Sequence, residues 1–215
     1  MPLYISYAVI LYDCQELASG CSSCLNLKVV QNLDCIWCNG HNGLRDNTSL
    51  FIGNCLTTPS SFNPEMNTTV TCPSPTITDF NPKSGPIEGG TTITITGTDL
   101  GVTFEDFTNS SITIGGVPCT PTDRDSYIPG RQINCHTAGF SSQMSAENIK
   151  VSLSSGQGLS EGQFTLSTPE IFDIFPSLGP VAGGTPLSVK GSYLNIGNTE
   201  NTRITLVEGS ECEIE

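Results

Sequence analysis

The chain has 215 residues, a formal net charge of −13 and only 8 lysines and arginines together. This charge argues against binding to the phosphate backbone of nucleic acids or to an anionic membrane surface. Charged residues make up 13% of the chain, whereas it contains 22 glycines and 14 prolines, a composition that favours short strands and turns over long helices. No run approaches the about 20 apolar residues of a membrane span.

The cysteines and glycosylation sequons indicate the compartment. The chain has 10 cysteines, most of them between Cys14 and Cys72. Three sequons begin at Asn47, Asn67 and Asn109, which we therefore expect to carry glycans. Cysteines and sequons together predict an oxidising, extracellular compartment.

The first segment, Leu3 to Tyr12, is an apolar run that is too short to span a bilayer. It is unlike a signal peptide, because no Lys or Arg precedes it and Asp13-Cys14 follows it directly. Its Tyr, Ile and Val content predicts a strand. We therefore expect a strand here, and the chain to be a piece of a longer protein.

The cysteine-rich segment allows two interpretations, a zinc site or a disulfide-bonded domain. Cys21, Cys24, Cys35 and Cys38 have the CxxC-x10-CxxC spacing of a zinc site with four thiolates, and His41 could replace one ligand. A single zinc ion would leave three nearby cysteines unused, namely Cys14, Cys55 and Cys72. The extracellular signals favour the alternative, a small domain stapled by disulfides, because so short a segment cannot build an adequate apolar core.

An internal repeat follows, with an offset of 94 residues. The identical pairs are Pro75/Pro169, Ile77/Ile171, Asp79/Asp173, Pro82/Pro176, Gly85/Gly179, Pro86/Pro180, Gly89/Gly183, Gly90/Gly184, Thr91/Thr185, Gly97/Gly191 and Leu100/Leu194. Most are glycine or proline, residues that fix backbone shape. The Gly89-Gly90 pair predicts a tight reversal, and the alternation after it predicts a strand with Ile93 and Ile95 facing inward. The length of the repeat matches one β-sandwich domain of about 100 residues.

In the first copy the pattern predicts strands near 75–80, 91–96, 111–117, 131–136, 148–154 and 163–167. Cys119 and Cys135 are placed to form a disulfide that staples this sandwich. The second copy shows only three strands, near 170–174, 186–190 and 203–207. Cys212 corresponds to Cys119 within one residue, and its bridging partner would fall beyond residue 215. We therefore expect Cys212 to be free and the second sandwich to be truncated.

The residues give little support to catalysis. His41 and His136 form no convincing nucleophile–base pair, and the glycine-rich stretch lacks the lysine and the helix of a phosphate-binding loop. The adjacent acids Glu105 and Asp106 could bind calcium, but a solvated loop is the simpler interpretation. The pI near 4.3 does not fit the DNA-binding factors that use similar sandwiches. The sequence predicts neither an enzyme nor a cofactor or metal site.

Several motifs resemble a known family. CSSCLNLKVVQNLDCIWC, which starts at Cys21, resembles the PSI module of plexins, semaphorins and integrins. CPSPTITDFNPKSGPIEGGTTITITGTDLG, which starts at Cys72, resembles the start of an IPT (TIG) domain, an immunoglobulin-like sandwich. LGVTFEDFTNSSITIGGVPC, from Leu100 to Cys119, is similar to plexin IPT domains in particular. The resemblance covers essentially the whole chain.

The resemblance implies an all-β fold, with the last strand of a preceding domain at 1–12, a PSI domain at 13–72, a first IPT domain at 73–168 and a truncated second IPT domain at 169–215. It also implies a structural stalk segment of a cell-surface semaphorin receptor, extracellular and without catalysis, that positions a head domain. The semaphorin-type ligand would bind through the parent receptor and not through this segment. A hepatocyte-growth-factor-receptor-like protein and a secreted PSI/IPT adhesion protein share the same modules and stay as alternatives.

The cysteine pairing is implied by the resemblance alone. PSI domains of this kind carry eight cysteines, bridged first to fourth, second to eighth, third to sixth and fifth to seventh. The sixth position falls on Leu44 here. The implied bridges are therefore Cys14–Cys35, Cys21–Cys72 and Cys38–Cys55, with Cys24 as a free thiol packed near Leu44.

Overall fold

The computed structural model describes residues 12–38, 53–57, 71–108, 111–141, 145–197, 203–206 and 211–212. Two helices come first, α1 (Cys14–Leu17) and α2 (Cys21–Val29). The strands are β1 (Cys35–Cys38), β2 (Asn54–Thr57), β3 (Thr76–Asn81), β4 (Ser84–Pro86), β5 (Thr92–Leu100), β6 (Ile112–Ile114), β7 (Val117–Thr122), β8 (Gly130–Thr137), β9 (Ala146–Leu153), β10 (Gly156–Ser167), β11 (Glu170–Phe175), β12 (Ser188–Ser192), β13 (Ile204–Thr205) and β14 (Glu211–Cys212). The predicted β fold class is confirmed, with two helices added by the cysteine-rich part. Neither of these helices is long and apolar enough to cross a membrane.

Local capping starts both helices. The Gln15 N–H donates to the Asp13 carboxylate at 2.9 Å, which caps α1. At the start of α2, the Ser23 hydroxyl accepts from the Gly20 N–H at 3.1 Å and donates to the Gly20 carbonyl at 3.0 Å. Because α2 begins at Cys21, Cys21 and Cys24 lie one turn apart on one side of the helix.

The cysteine-rich module packs both helices against a two-stranded hairpin. Strands β1 and β2 pair antiparallel. Cysteines outnumber the other residues of the buried core; its members are Cys14, Ala18, Cys24, Leu27, Cys35 and Cys55, with Leu33 and Trp37 packed against them. Such a core depends on covalent staples, as small domains of this size generally do.

The first repeat forms an immunoglobulin-like sandwich. Its strands follow the order β3-β5-β8-β7-β6-β9-β10-β4. Strand β7 pairs with β8 on one side and with β6 on the other, so that it joins the two layers. Strand β4 pairs parallel with the end of β10, and β3 lies against β10 across the core.

Alternating apolar residues fill this sandwich. Ile93 and Ile95 on β5 are completely buried, which confirms the predicted inward face of that strand. The buried core consists of Ile77, Phe80, Ile93, Ile95, Leu100, Phe107, Ile112, Ile114, Cys119, Ile133, Cys135, Ile149, Val151, Phe164 and Leu166.

Two glycine pairs make the sharp turns. Gly89 and Gly90 have φ of 85° and 84°, as the repeat predicted. The prediction of one strand near 111–117 was wrong, because Gly115 and Gly116 also have positive φ and form a hairpin turn between β6 and β7. Positive φ at both central residues gives the turn twist that suits an antiparallel pair.

The second repeat reproduces the first two long strands of the sandwich. Ile77 pairs with Gly97 across β3 and β5, and Ile171 pairs with Gly191 across β11 and β12, with a register shift directly after the isoleucine in both copies. A Cβ at Gly97 would clash with the Thr76 carbonyl oxygen, and one at Gly191 would clash with the carbonyl oxygen of Glu170. Glycine recurs because the neighbouring backbone leaves no space for a side chain.

The two copies differ in how far their strand residues are buried. Every residue of β11 is exposed, including two phenylalanines, Phe172 at 67% and Phe175 at 70%. Further along, β13 pairs antiparallel with β14, which ends at Cys212. In the described part of the second repeat, the apolar faces of these strands have no covering layer.

Candidate functional site

Three disulfides hold the cysteine-rich module together. Cys14 is bonded to Cys35 and Cys21 to Cys72, as the resemblance implied. The first bond ties α1 to β1. The second ties the first residue of α2 to the chain just before the sandwich, so it also anchors the connection between the two modules.

The third disulfide corrects the expected pairing. Cys24 is bonded to Cys55, so the expectation that Cys24 is a free thiol and that Cys38 pairs with Cys55 was wrong. The strand register explains this result. Cys55 lies opposite Trp37, one position away from Cys38, and neighbouring strand residues project to opposite faces. Cys55 therefore shares a face with Trp37 and Cys35, the face that packs on the helices.

This pairing also argues against the four-thiolate zinc site. Cys21, Cys24 and Cys35 are each in a disulfide and offer no thiolate to a metal. The side chains of Cys38, His41 and Leu44 lie outside the described residues.

The sandwich contains a fourth disulfide, between Cys119 and Cys135, as predicted. It links the neighbouring strands β7 and β8 at a Cα–Cα distance of 5.3 Å. Cys212, the counterpart in the second repeat, is a free and partly buried cysteine, also as predicted. The sequon asparagines Asn47, Asn67 and Asn109 fall outside the described residues and stay predictions.

The acids that could have bound calcium have structural partners. Glu105 forms an ion pair with Arg124; its own backbone N–H and the Arg124 guanidinium hold the pKa of this carboxyl below its ordinary value. The Asp106 carboxylate accepts hydrogen bonds from the N–H groups of Val102 and Thr103, at 2.6 and 3.1 Å. His136 lies 3.3 Å from the Thr92 hydroxyl, on the exposed side of the sheet.

Polar contacts join the cysteine-rich module to the sandwich. The Ser22 N–H donates to the Asp99 carboxylate at 3.1 Å. One turn further along α2, the Asn26 side-chain amide donates to the Val102 carbonyl at 2.7 Å. Ser22 and Asn26 are only 2% and 7% exposed, so these bonds lie within a closed interface. Intermodule hydrogen bonds of this kind can fix an angle between two modules.

A second contact lies at the edge of this interface. The Arg131 guanidinium donates from Nε to the Ser19 hydroxyl at 2.7 Å. Beside it a half-open cleft of about 490 Å³ runs along the sheet, lined mainly by hydroxyl-bearing side chains and the charged groups Asp99 and Arg131. Both charged groups already contact the cysteine-rich module, so the cleft belongs to the interface.

An aromatic cluster supports the loop that meets α2. The Tyr127 hydroxyl lies 2.8 Å from the Gly101 carbonyl and 3.2 Å from that of Leu100. Its ring makes edge-on contacts with Phe104 and Phe107, at centroid distances of 6.0 and 5.9 Å. Burial raises the pKa of the Tyr127 hydroxyl well above its ordinary value, so the group stays protonated and donates a hydrogen bond.

Sequence reasoning missed the residues of this interface. Asp99 lies within the stretch that resembles an IPT domain but was assigned no role there, and its counterpart in the second repeat is Tyr193, so the comparison of the copies did not mark it. The one available signal was the Asp99-Leu-Gly101 turn at the end of a strand. Asn26 gave a weaker signal, as a polar residue within a short helix.

Comparisons with known proteins agree with this architecture. A family model for the IPT/TIG domain matches residues 75–167. Human Plexin-B1 is 32% identical over 198 residues, which cover 92% of this chain and 9% of Plexin-B1. Plexin-2 of Caenorhabditis elegans is 35% identical over 211 residues, which cover 96% of this chain and 10% of that protein.

A solved structure of the plexin A4 extracellular region superposes on 86% of this chain and 18% of that one, with a TM-score of 0.63 and 28% sequence identity. The chain thus spans about a tenth of the length of the curated relatives that it matches. The disulfides of the cysteine-rich module are consistent with a PSI domain.

Proposed function

The chain belongs to the plexin family, as a segment of its extracellular region, and we propose that it is a structural stalk segment of a semaphorin receptor. In this proposal it spaces and positions the ligand-binding head and catalyses no reaction. Residues 13–72 are the PSI module, 73–168 the first IPT module and 169–215 the beginning of a second, with 1–12 contributed by the preceding domain.

The observation that carries this proposal is the closed interface between the PSI module and the sandwich. A flexible tether would transmit neither distance nor angle, whereas a spacer needs modules that hold one another. The interface has two partly buried hydrogen bonds, Ser22–Asp99 and Asn26–Val102. The Cys21–Cys72 disulfide holds the connecting chain beside it.

The connections between modules are also short. Three residues, 73–75, separate Cys72 from β3, and a Cβ at Gly156 or Gly158 would clash with Ser74 or with the Pro75 carbonyl. The first connection is therefore packed onto the β9–β10 hairpin. Residues 168–169 alone separate β10 from β11. Such short connections restrict the angles that successive modules can adopt.

The proposal that the chain lacks catalysis rests on how its polar groups are used. Glu105, Asp106 and Asp99 each bind groups of the chain itself, and three of the four zinc-spaced cysteines are in disulfides. We also infer that the semaphorin-type ligand binds elsewhere in the parent receptor. The three sequons fit this extracellular placement, and we propose Asn47, Asn67 and Asn109 as glycan acceptors.

A flexible insertion in the parent receptor tests the stalk role. A Gly/Ser stretch between residues 168 and 169 should leave ligand binding by the head intact and reduce ligand-dependent signalling, because the head is no longer held in position. The matched control is the same stretch inserted between residues 115 and 116, at the turn from β6 to β7, where a Cβ at Gly116 would meet nothing within 4 Å. Unchanged signalling after the first insertion would refute the stalk role, as would direct binding of a semaphorin by the isolated 215-residue chain.

A further inference from the structure

Two joints between successive modules lie within the described residues, and the same stretch of the repeat contributes to both. In the first repeat this stretch is residues 99–103, directly after the second long strand. In the second repeat it is residues 193–197, at the offset of 94 that relates the copies. We call each stretch the coupling loop of its repeat.

The first coupling loop caps a helix of another module. The first N–H groups of any helix lack partners within that helix. Ser22 is the second residue of α2, and its N–H finds its acceptor in Asp99, 77 residues away. The same carboxylate lies within 4.8 Å of the sulfurs of Cys21 and Cys72. Asp99 therefore occupies the place that a capping side chain of the helix itself would normally take.

The sandwich fixes the shape of this loop from inside. Asp99 has a φ of 55°, a left-handed conformation that aspartate tolerates better than most residues. The Gly130 N–H donates to the Gly101 carbonyl at 2.9 Å, and the Asp106 carboxylate holds the Val102 N–H. The Tyr127 hydroxyl also donates to the Gly101 carbonyl. Contacts within the sandwich therefore hold the loop in shape independently of α2.

The surface beside the coupling loop is shaped to receive the helix. Gly130 has a φ of 71°, and a Cβ there would lie 3.1 Å from the Ser22 Cβ and 3.2 Å from the Ser23 nitrogen. Glycine at this position lets α2 come close enough for Ser22 and Asn26 to reach the loop. The missing side chain at Gly130 and the hydrogen-bond acceptor at Asp99 thus determine the position of α2 on the sandwich.

The second coupling loop has the same backbone feature and a different contact. Tyr193, the counterpart of Asp99, also has a left-handed φ, of 56°. At the end of this loop, Gly197 packs on the preceding sandwich, where a Cβ would lie 3.2 Å from the Thr91 hydroxyl and 3.5 Å from Pro86. Thr91 and Pro86 flank the glycine turn that opens the first repeat.

We propose that the coupling loop is the element by which each IPT module binds the module before it. We also propose that Asp99 sets the angle between the PSI module and the sandwich by capping α2 across the module boundary. The inference rests on the proposed stalk role, which requires fixed angles between modules. It assigns Asp99 as a positioning residue and the glycine-turn surface of each sandwich as the docking surface for the next module.

The test uses the full 215-residue chain with its disulfides formed. Asp99→Gly removes the carboxylate and keeps a residue that accepts positive φ. We expect the Ser22 amide to exchange with solvent at least about fivefold faster, the scale of a lost helix cap. We also expect residual dipolar couplings of the PSI module and the sandwich to stop fitting one common alignment tensor. Asp99→Asn, which keeps an oxygen acceptor, should retain the common tensor.

Asp123→Gly is the matched control, because Asp123 has a φ of 56° and its side chain caps nothing. It makes the same charge change in the same backbone conformation and should behave as the unaltered chain. An Asp99→Gly variant with unchanged Ser22 exchange and a common tensor would overturn the proposal. If Asp99→Gly unfolds the PSI module, Asn26→Ala is measured instead; it should also abolish the common tensor, and a retained tensor would refute the proposal.

The second joint is tested with two glycines of the second repeat. Gly197→Leu places a side chain against Thr91 and should separate the tensors of residues 76–167 and 170–192. Gly183→Leu is its control, because Gly183 has a φ of 80° but a Cβ there meets nothing within 4 Å. Equal effects of both variants would show that backbone strain, and not the contact, is responsible, which contradicts the docking role of this loop.

These measurements need neither ligand nor signalling, so the two proposals can fail separately. Loss of the common tensor in Asp99→Gly, together with normal signalling by a receptor that carries the same change, would refute the stalk role and leave the coupling loop standing. A common tensor retained in Asp99→Gly would refute the coupling loop. If signalling were also lost after the flexible insertion, the stalk role would stand.

Discussion

The first two long strands pair in the same way in the two copies of the repeat, but their surroundings differ. Strands β3 and β5 pair with the register that β11 and β12 repeat, including the shift after the isoleucine. Both copies have a cis peptide bond before the matching proline, Pro82 or Pro176. Yet Ile77 is 5% exposed, whereas its identical counterpart Ile171 is 60% exposed.

This difference separates what local sequence determines from what packing determines. Glycine and proline set turns, bulges and strand register through backbone sterics, and these are the same in both copies. Burial of Ile77 needs the opposing layer that β9 and β10 provide in the first copy. The same residues therefore form a similar pair of strands in both copies, but within the described part of the chain only the first pair belongs to a closed core.

The isoleucine pair should show the largest difference between the copies. We expect Ile77→Ala to lower the free energy of unfolding of the sandwich by about 2–5 kcal/mol, because it leaves a cavity in a closed core. Ile171→Ala should change it by less than about 0.5 kcal/mol, as for an exposed residue. Urea unfolding followed by circular dichroism measures both. Comparable losses for the two variants would show that β11 is buried in solution.

The corresponding cysteines of the two copies, Cys119 and Cys212, extend the comparison to covalent bonds. Replacing Cys119 and Cys135 together by alanine should cost the sandwich about 3 kcal/mol, the loop-closure value for a loop of this length. Cys212→Ser should leave sandwich stability unchanged, because Cys212 is free. The check is thermal unfolding of each variant beside the unaltered chain. A shift in the Cys212→Ser variant as large as that of the double variant would mean that Cys212 has a covalent partner.

The glycine pair tests whether an identical clash has an identical cost. Gly97→Ala forces β3 away from β5 within the core, and overpacking of this kind costs about 1–3 kcal/mol. Gly191→Ala meets the corresponding carbonyl, but no layer among the described residues packs on β11, so the strands can separate without disturbing the sandwich. Amide exchange should report faster opening of β12 alone in the second variant. Global destabilisation by Gly191→Ala would show that the two sandwiches unfold as one unit.

Much of the fold could be predicted because it is encoded locally. The alternation around Ile93 and Ile95 gave β5, and the Gly89-Gly90 pair gave its preceding turn. The Gly115-Gly116 turn was missed because the apolar residues on both sides of it resemble one continuous strand. A pair of glycines with positive φ was the signal that should have divided them.

The interface and one disulfide could not be predicted from sequence. Whether Cys24 or Cys38 pairs with Cys55 depends on which face of the hairpin turns toward α2, and strand register decides that in three dimensions. Asp99 acts on a helix 77 residues away, so nothing near it in the sequence predicts its role. Local patterns thus predicted the modules, while the contacts between them needed the structure.

The smallest expected effect concerns the aspartate pair, Asp79 and Asp173. In the first copy Lys83 donates to Asp79 and lies over the Phe80 ring, 4.0 Å from its centroid. The Lys83 ammonium first, and the Phe80 backbone N–H second, lower the pKa of the Asp79 carboxyl. The second copy has Ser177 in place of Lys83. Lys83→Ser therefore gives the first copy the residue of the second, and the pKa of Asp79 should rise toward its ordinary value.

The sign of the stability effect follows from this shift. A folded-state pKa below the unfolded one adds stability that is present above the unfolded value, near 3.8, and is lost as the pH falls through the folded value. In Lys83→Ser this acid-dependent part should shrink, and the loss should be slight because both side chains are exposed and screened by solvent. NMR titration of the Asp79 carboxyl measures the shift. An Asp79 pKa unchanged by Lys83→Ser would show that the lysine does not hold the carboxylate in solution, and that the copies do not differ in this respect.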